Sequence, residues 1–248
     1  MATKRRTARS RPRRQDDAGG DRQITKAAEN YLLSIYMVEE QGFQVTNANL
    51  VDQLKRTPAS EGLGTSPPSV AGMLRRMERE GLIGFGENRE IDLTPRGVAL
   101  AESIVRRHRL AERMVVDLLG LELPKAHVEA HRLEHAISDI MEERIRETLG
   151  NPTTCPFGHP IPGSGYEARG SAAVTLDGAP AGVPLVVDRI PEEDQQLLEY
   201  LVGHNIVPGV TVELAEVAPY RGVLTLQAGD ESAVLGLSVA NRIWVVTK

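Results

Sequence analysis

The chain has 248 residues, of which 41% are hydrophobic and 25% charged, and its formal net charge is −5. This composition is ordinary for a globular protein and leaves room for two or three compact domains. No run of about eighteen apolar residues occurs, which excludes a membrane-spanning helix. The single cysteine, Cys155, excludes an internal disulfide framework. We therefore predict a cytoplasmic protein without a membrane partner.

The charge is unevenly distributed along the chain. The first fourteen residues, MATKRRTARSRPRR, contain seven Lys or Arg residues and no acidic residue. Such a segment has too few apolar side chains to form a core, so we predict a disordered basic arm over residues 1–22. Two interpretations remain open. Either the arm binds DNA phosphates, whose condensed counterions Lys and Arg release, or it is a solubilising terminus.

Residues 23–96 have the periodicity of three helices followed by a hairpin. Apolar residues recur every three or four positions in ITKAAENYLLSIYMVEEQG, TNANLVDQLKR and SVAGMLRRMEREG. The stretch TPASEGLGTSPP, before the third helix, has the composition of a turn, and LIGFGENREIDL has that of two short strands. This order predicts a winged helix-turn-helix domain, whose third helix enters the major groove of DNA.

Basic side chains of this domain are the candidates for phosphate contacts. They lie on the predicted third helix and on the predicted wing: Arg75, Arg76, Arg79 and Arg89. Arginines at such positions hold a protein on the DNA backbone without reading base sequence. Helix-turn-helix patterns are loose, so the pattern alone leaves a helical domain without DNA contacts open.

Two long helices are predicted within residues 97–150, one over residues 97–120 and one from about Lys125 to Leu149. Residues 151–170 are rich in proline and glycine and are predicted to form a linker. Residues 171–248 alternate short β-type runs with one helical stretch, EEDQQLLEYLVGHN, which predicts a small closed β-barrel. The predicted fold class is mainly α with β.

The stretch KAHVEAHRLEH places four ligand-type side chains on one face of the second long helix. At about 100° per residue, His127, His131, Glu134 and His135 share a stripe about 100° wide. Either the stripe is a solvated polar face, or it faces the core and a divalent metal compensates its polar groups. We favour metal ligation.

A second pair of ligand-type residues, His108 and Glu112, lies four residues apart on the preceding helix. Antiparallel packing of the two helices would bring this pair against His127. Imidazole and carboxylate donors without thiolate suit borderline divalent ions: Mn(II), Fe(II), Co(II), Ni(II) and Zn(II).

Two other functions fit parts of this pattern. His131-x-x-Glu134-His135 is also the inverted zinc-protease signature, in which the glutamate acts as general base, so a metal-dependent hydrolase is the alternative. The surrounding ligands leave no evident open coordination position, and a DNA-reading unit precedes the motif, so we expect no enzyme. A metal-storage or sensing module without DNA contacts is the third hypothesis.

Five blocks of sequence carry a resemblance to a known family: AENYLLSIY, RRMEREGLI, RRHRLAERMVVDLLG, VEAHRLEHAISD and CPFGHPIPG. Over about residues 23–248 the chain resembles the diphtheria-toxin-repressor family of iron- and manganese-dependent transcriptional repressors. The resemblance implies a winged-helix DNA-binding domain over 23–96, a helical metal-binding and dimerisation domain over 97–150 and an SH3-like domain over 171–248. It also implies a homodimer that binds palindromic double-stranded DNA operators of metal-uptake genes.

The resemblance implies two metal sites. The primary site would be Asn30, His131, Glu134 and His135, and the ancillary site would be His108, Glu112 and His127, with Asp194 as a weaker candidate. Leu197 stands where iron-type members add a glutamine ligand. At the positions of Asn30 and His131 the iron branch has Met and Cys, whereas the manganese branch has Asp and Glu. This chain matches neither pair, and we lean to Mn(II) over Fe(II).

The resemblance also implies contacts to the bases. Ser66, Pro68 and Ser69 match members of the family, and the apolar groups of Pro68 and Ser69 suit thymine methyls. Gly72 replaces a base-facing glutamine of iron-type members, and the turn before the third helix is longer than usual, so we expect a different operator. For Cys155, a peripheral ligand or redox sensor is the alternative to the favoured interpretation, a buried thiol.

Overall fold

The structure is a computed structural model that describes residues 24–167 and 173–248. The predicted basic arm, residues 1–22, and the end of the predicted linker lie outside these ranges. Within them, no helix is both long enough and apolar enough to cross a membrane.

The first unit contains the three helices and the hairpin that the sequence predicts. They are α1 (Lys26–Glu40), α2 (Asn47–Leu54), α3 (Pro67–Arg79), β1 (Ile83–Phe85) and its antiparallel partner β2 (Ile91–Leu93). The side chains of Thr25, Thr46 and Ser66 each accept a backbone N–H in the first turn of a helix, which satisfies one otherwise unpaired donor. The predicted winged helix-turn-helix is confirmed.

One apolar core holds this unit together. Its members come from the three helices and the wing: Leu32, Ile35, Leu50, Leu54, Val70, Leu74, Met77, Leu82 and Ile91. The next helix approaches this core closely, because a Cβ atom at Gly97 would lie only 1.9 Å from the carbonyl oxygen of Leu82. A glycine is therefore required where the DNA-binding unit joins the rest of the molecule.

The second unit is helical. It consists of α4 (Pro95–Arg113), α5 (Leu123–Leu133) and α6 (Asp139–Thr148). One π-helical turn, Met114–Leu118, continues α4, so the predicted helix over residues 97–120 is present with an altered last turn.

The predicted continuous helix from Lys125 to Leu149 is wrong. A 3-10 turn, Glu134–Ala136, follows α5, Ile137 is extended, and the Ser138 side chain caps a new helix by accepting the Met141 N–H. Because of this break, the residues after Leu133 do not continue the helix face that carries the first two histidines of the motif.

The third unit is a six-stranded antiparallel sheet in the order β3-β8-β4-β5-β6-β7. Its elements are β3 (Val174–Thr175), β4 (Pro184–Arg189), α7 (Gln195–Gly203), β5 (Thr211–Ala218), β6 (Val223–Ala228), β7 (Glu231–Gly236), α8 (Leu237–Ala240) and β8 (Trp244–Thr247). Alternate residues of β6, such as Leu224 and Leu226, are fully buried. This unit is the SH3-like domain that the sequence predicts.

The predicted linker is irregular, as its composition indicates, but it is not an exposed tether. Cys155, Phe157 and Ile161 are buried, and Phe157 packs into the core of the SH3-like domain. Arg113 of α4 donates to the carbonyl oxygen of Thr154 at 2.8 Å, and the backbone N–H of Ile190 donates to that of Phe157 at 3.0 Å. The segment thereby holds the β4–α7 loop, residues 190–194, against the helical unit.

Candidate metal centre

Four ligand-type side chains meet between α4 and α5. His108 and Glu112 lie one turn apart on α4, and His127 and His131 lie one turn apart on α5. All four are buried, with relative exposures from 0% to 4%. Residues four positions apart share one face of a helix, so the packing of these two helices is enough to bring both pairs together.

Donor atoms of three of these residues converge. Nε2 of His108 lies 2.9 Å from Oε1 of Glu112 and 3.0 Å from Nδ1 of His127, and this Nδ1 lies 3.0 Å from the same Glu112 oxygen. Glu192 of the β4–α7 loop completes a set in which one donor atom of each residue lies within 4.8 Å of the others. We call His108, Glu112, His127 and Glu192 the inner group.

The inner group fits a divalent ion. The two facing imidazole nitrogens share at most one proton between them, and the buried Oε2 of Glu112 has no hydrogen-bond partner in the described part of the chain. Neighbouring ligands of one ion with bonds of about 2.1 Å are about 3 Å apart, which is the spacing of the three converging atoms. Their imidazole and carboxylate chemistry suits a borderline transition metal.

His131 packs directly against the inner group. Its ring centroid is 4.7 Å from that of His108 and 4.6 Å from that of His127. Its Nδ1 lies 3.2 Å from Oε1 of Glu134, and the other oxygen of Glu134 contacts Nδ1 of His108. The residues of the two predicted sites therefore form one continuous cluster, and Glu134 joins its two halves.

His135 is directed toward α1 because the helix ends before it. Its Nδ1 lies 2.6 Å from Oε2 of Glu29, and its Nε2 lies 3.2 Å from Oε1 of Glu134. The predicted stripe of four ligands on one helix face is thus replaced by two on α5 and two on the turn that follows. Through this turn, the cluster in the helical unit contacts the first helix of the DNA-binding unit.

Asn30 completes the cluster on the α1 side. Its side-chain nitrogen donates to the carbonyl oxygen of Lys26 at 3.3 Å and to Oε2 of Glu61 at 3.1 Å. Its side-chain oxygen is buried and has no hydrogen-bond partner among residues 24–167 and 173–248. An amide oxygen left without a donor is available to a cation.

Three carboxylates of this region were missed in the sequence: Glu29, Glu61 and Glu192. Glu29 precedes Asn30 on α1, and that adjacency was the only local signal. Glu61 and Glu192 reach the cluster from the long turn before α3 and from the β4–α7 loop. Neither segment has a hydrophobic periodicity from which the direction of its side chains could be predicted.

Burial and charge set the protonation states of the cluster. Burial opposes ionisation of Glu134, but His108 lowers its pKa to about 2. Burial lowers the pKa of His131 to about 4, which leaves this imidazole neutral at pH 7. Burial also acts to lower the pKa of His108, yet the carboxylates of Glu112 and Glu134 raise it above its ordinary value. The proton on His108 is therefore one that a bound ion must displace.

Two residues that the sequence singled out lie outside the inner group. Asp194 is exposed, and its side chain caps α7 by accepting the Leu197 N–H at 3.1 Å. The carboxylate that the SH3-like domain brings to the inner group is Glu192 instead. Cys155 is buried and donates to Glu192 at 3.7 Å, and burial together with Glu112 raises the pKa of its thiol well above the ordinary value. A buried thiol was the favoured prediction.

The geometry does not support the hydrolase alternative. Glu134 would be the general base, but it is fully buried, and both of its carboxylate oxygens contact histidines of the cluster. A base in this position is oriented toward ligands and has no free oxygen for a water or a substrate. Its geometry is that of a ligand or of a residue that orients ligands.

All predicted DNA-contact residues are exposed in the first unit: Ser66, Pro68, Ser69, Arg75, Arg76, Arg79 and Arg89. Ser66 caps α3, and Pro68 and Ser69 in the first turn of that helix are exposed to solvent. Arg76 pairs with Glu80 at 2.8 Å, and Arg89 lies in the turn of the wing with a positive φ of 64°. A groove between α3 and the wing is lined by Arg75, Phe85 and Asn88.

Known proteins match the whole described architecture. The N-terminal DNA-binding domain of iron-dependent repressors matches residues 23–90, their metal-binding and dimerisation domain matches residues 94–163, and a FeoA domain matches residues 174–247. A manganese-dependent transcriptional repressor solved in complex with manganese superposes with a TM-score of 0.77 at 29% identity, covering 89% of this chain and 100% of that chain.

Two characterised relatives extend this likeness. The iron-dependent repressor IdeR of Mycobacterium leprae is 36% identical over 234 residues, which are 90% of this chain and 97% of that protein. The diphtheria toxin repressor of Corynebacterium efficiens is 41% identical over 140 residues, which are 56% of this chain and 57% of that protein. The resemblance inferred from the sequence motifs is confirmed, and the chain belongs to the iron-dependent repressor family that includes the diphtheria toxin repressors.

Proposed function

We propose that this protein is a metal-dependent DNA-binding transcriptional repressor. The observation that carries the proposal is the buried cluster of His108, Glu112, His127, His131 and Glu134, which touches α1 of the DNA-binding unit through His135. A divalent ion bound there interacts with two units at once. It therefore favours the arrangement of these units in which all ligands reach it.

Two ion positions account for the cluster. The inner group would hold one ion, and Asn30, His131, Glu134 and His135 would hold the other. Each ion would supply positive charge among buried carboxylates. The chain's own contribution is the fixed spacing of the donors and the exclusion of water from them.

We propose Mn(II) or Fe(II) as the activating metal. The donors are imidazoles, carboxylates and one amide oxygen, and this mixture excludes none of Co(II), Ni(II) and Zn(II) on affinity grounds. Asn30 favours a hard ion, because its amide oxygen resembles a carboxylate oxygen in shape, whereas His131 favours an ion that accepts nitrogen. Availability of the metal in the cell then decides which ion activates the protein.

We propose a homodimer that binds palindromic operators of metal-uptake genes in the cytoplasm. The helical unit exposes apolar side chains at its surface: Leu118, Leu119, Ile140 and Met141. An exposed apolar surface of this kind suits a second copy of the chain. The two recognition helices of such a dimer would enter successive major grooves, with the arginines of α3 and of the wing on phosphates.

The experiment is operator selection followed by titration. Duplexes enriched from a random pool by the full chain with Mn(II) are titrated with the protein in Mn(II), in anaerobic Fe(II) and in chelator. We expect binding at least about tenfold tighter with metal, in the range of typical coupling free energies. Glu112→Gln should lose this difference, and the exposed Glu122→Gln is its control. Equal affinity in chelator and in every metal would exclude the proposal.

A further inference from the structure

The turn before the recognition helix sends one carboxylate into the cluster. Glu61 lies in a 3-10 turn, Ala59–Glu61, between α2 and α3, in a stretch whose composition predicts a turn. Its side chain is nevertheless only 2% exposed. Burial of a carboxylate in such a segment is costly unless cations or donors face it.

The groups that face Glu61 come from α1 and from the turn after α5. Its Oε2 accepts the side-chain N–H of Asn30 at 3.1 Å, lies 3.0 Å from Nζ of Lys26 and lies 3.4 Å from Nε2 of His135. Lys26 is the only lysine or arginine among these three groups, and its side chain is 51% exposed. A half-exposed lysine balances a buried carboxylate weakly, because water screens its charge.

Donor atoms run in an unbroken series from the histidines to Glu61. Nδ1 of His131 and Nε2 of His135 each lie 3.2 Å from Oε1 of Glu134, and Nε2 of His135 lies 3.4 Å from Oε2 of Glu61. Both Nε2 of His135 and Oδ1 of Asn30 are buried without a hydrogen-bond partner in the part of the chain that the structure describes. Separations slightly above 3 Å are those of neighbouring ligands around one ion with bonds of about 2.1 Å.

We propose that the Glu61 carboxylate is a further ligand of the ion that Asn30, His131, Glu134 and His135 would hold. The inference rests on the proposed function, since it assigns a further ligand to that site. Asn30 brings no charge to a dication, and Glu134 brings one negative charge. Glu61 supplies the second carboxylate. When the ion binds, it replaces the exposed Lys26 as the positive partner of Glu61.

A ligand at position 61 ties the ion to the recognition helix. Leu63 packs against the core of the first unit, and a Cβ atom at Gly64 would lie 2.1 Å from the side-chain oxygen of Ser69. The chain between Glu61 and the Ser66 cap is therefore packed against the start of α3, which restricts the movement of its backbone. Binding of the ion to Glu61 restrains how α3 is presented to DNA.

The test compares Glu61→Gln with Lys26→Gln in the full chain. Free Mn(II) is followed by electron paramagnetic resonance while each protein is titrated with Mn(II) alone. We expect Glu61→Gln to lose at least about tenfold in affinity at one site, in the range for loss of a group that supports a metal site. Lys26→Gln breaks the same ion pair but keeps the carboxylate, so its affinity should be unchanged or higher. A smaller loss in Glu61→Gln, or an equal loss in both variants, overturns the inference.

Hydrogen exchange of residues 57–65 gives a second readout that does not depend on affinity. At saturating Mn(II) the wild-type segment should exchange more slowly than in chelator, and the segment of Glu61→Gln should show no such difference. Metal-induced protection that persists in Glu61→Gln overturns the inference even if its affinity falls. If the wild-type chain itself binds no Mn(II), the proposed function fails as well, whereas tight wild-type binding with an unaltered Glu61→Gln removes only the role of Glu61.

Discussion

Oε1 of Glu193, in the β4–α7 loop of the SH3-like domain, lies 2.6 Å from Nη1 of Arg56, just after α2 of the DNA-binding unit. The same oxygen contacts Arg242, and the Glu193 side chain is only 3% exposed. The preceding residue, Glu192, belongs to the inner group. Two neighbouring residues of one loop therefore contact the candidate metal cluster and the DNA-binding unit.

Glu193→Gln should weaken this attachment. The amide keeps the shape of the side chain but leaves two guanidinium groups without a counter-charge, which we expect to cost roughly 1–3 kcal/mol of unfolding free energy. Urea unfolding of the metal-free protein, followed by fluorescence of the single tryptophan, Trp244, measures the change. Glu213→Gln, exposed on β5, is the control and should stay within about 0.5 kcal/mol of wild type. Equal midpoints for the two variants would show that the contact contributes nothing.

Alanine at two glycines should change stability in opposite directions. Gly97→Ala places a methyl group 1.9 Å from the carbonyl oxygen of Leu82, so α4 must shift, and we expect a loss of about 1–3 kcal/mol. Gly72→Ala, inside α3, meets only a guanidinium nitrogen of Arg75 at 4.0 Å and should gain about 0.5–1 kcal/mol from helix propensity. Thermal unfolding of both variants measures the two changes in stability. A stable Gly97→Ala would contradict the close packing of α4 on the wing.

Glu40 should contribute a pH-dependent part of the stability. Burial opposes its ionisation, but the Arg109 guanidinium, bound through both nitrogens, holds the pKa of Glu40 well below its ordinary value. A depressed carboxylate pKa stabilises the fold above the unfolded pKa, about 4.3 for Glu, and this contribution disappears as the pH falls toward the folded pKa. His159, which lies 3.3 Å from Glu40, has a raised pKa and stays protonated throughout this window.

The measurement compares wild type with Glu40→Gln in the absence of metal. Unfolding free energies should differ by roughly 1–3 kcal/mol at pH 7, with wild type the more stable. The difference should shrink steadily below about pH 4.3, where the unfolded carboxyl becomes protonated. A difference that stays constant from pH 7 to pH 3 would mean that Glu40 is not ionised in the folded protein.

Arg75 should bind a DNA phosphate. It is exposed on α3 beside the groove of the wing, so Arg75→Ala should weaken binding to all duplexes alike and lower the slope of log affinity against log salt by about 1. Arg76→Ala should lower the DNA affinity and the salt slope less than Arg75→Ala does, because Arg76 is already paired with Glu80. Anisotropy titrations between low and moderate salt measure both slopes, with Arg144→Ala on α6 as the control. An unchanged slope in Arg75→Ala would remove it from the phosphate contacts.

Cys155 should be unreactive in the native protein. Its thiol is buried, and its pKa is raised by burial and by Glu112, so little thiolate is present at pH 8. An aromatic disulfide reagent should label one thiol per chain in denaturant and almost none in buffer. Fast labelling of the folded protein would restore the redox-sensor interpretation.

The DNA-binding unit was predictable because its signals are local. Hydroxyl caps at Thr25, Thr46 and Ser66 mark helix starts, and a three- to four-residue apolar period marks the buried faces. The break after Leu133 was not predictable in the same way. Residues 134–138 are compatible with a continuous helix, whereas in the structure the helix ends and His135 contacts Glu29 of α1.

Helix periodicity by itself determined that His108 and Glu112, and likewise His127 and His131, share a face, because residues four apart on a helix must do so. Only the tertiary structure decided that Glu134 joins the two pairs, that Glu192 and not Asp194 enters the inner group, and that Glu61 reaches Asn30 and His135. The physical reason is that the two kinds of information differ in range. Periodicity describes the faces of a single helix or strand, whereas the path of a loop depends on the cores against which its ends pack.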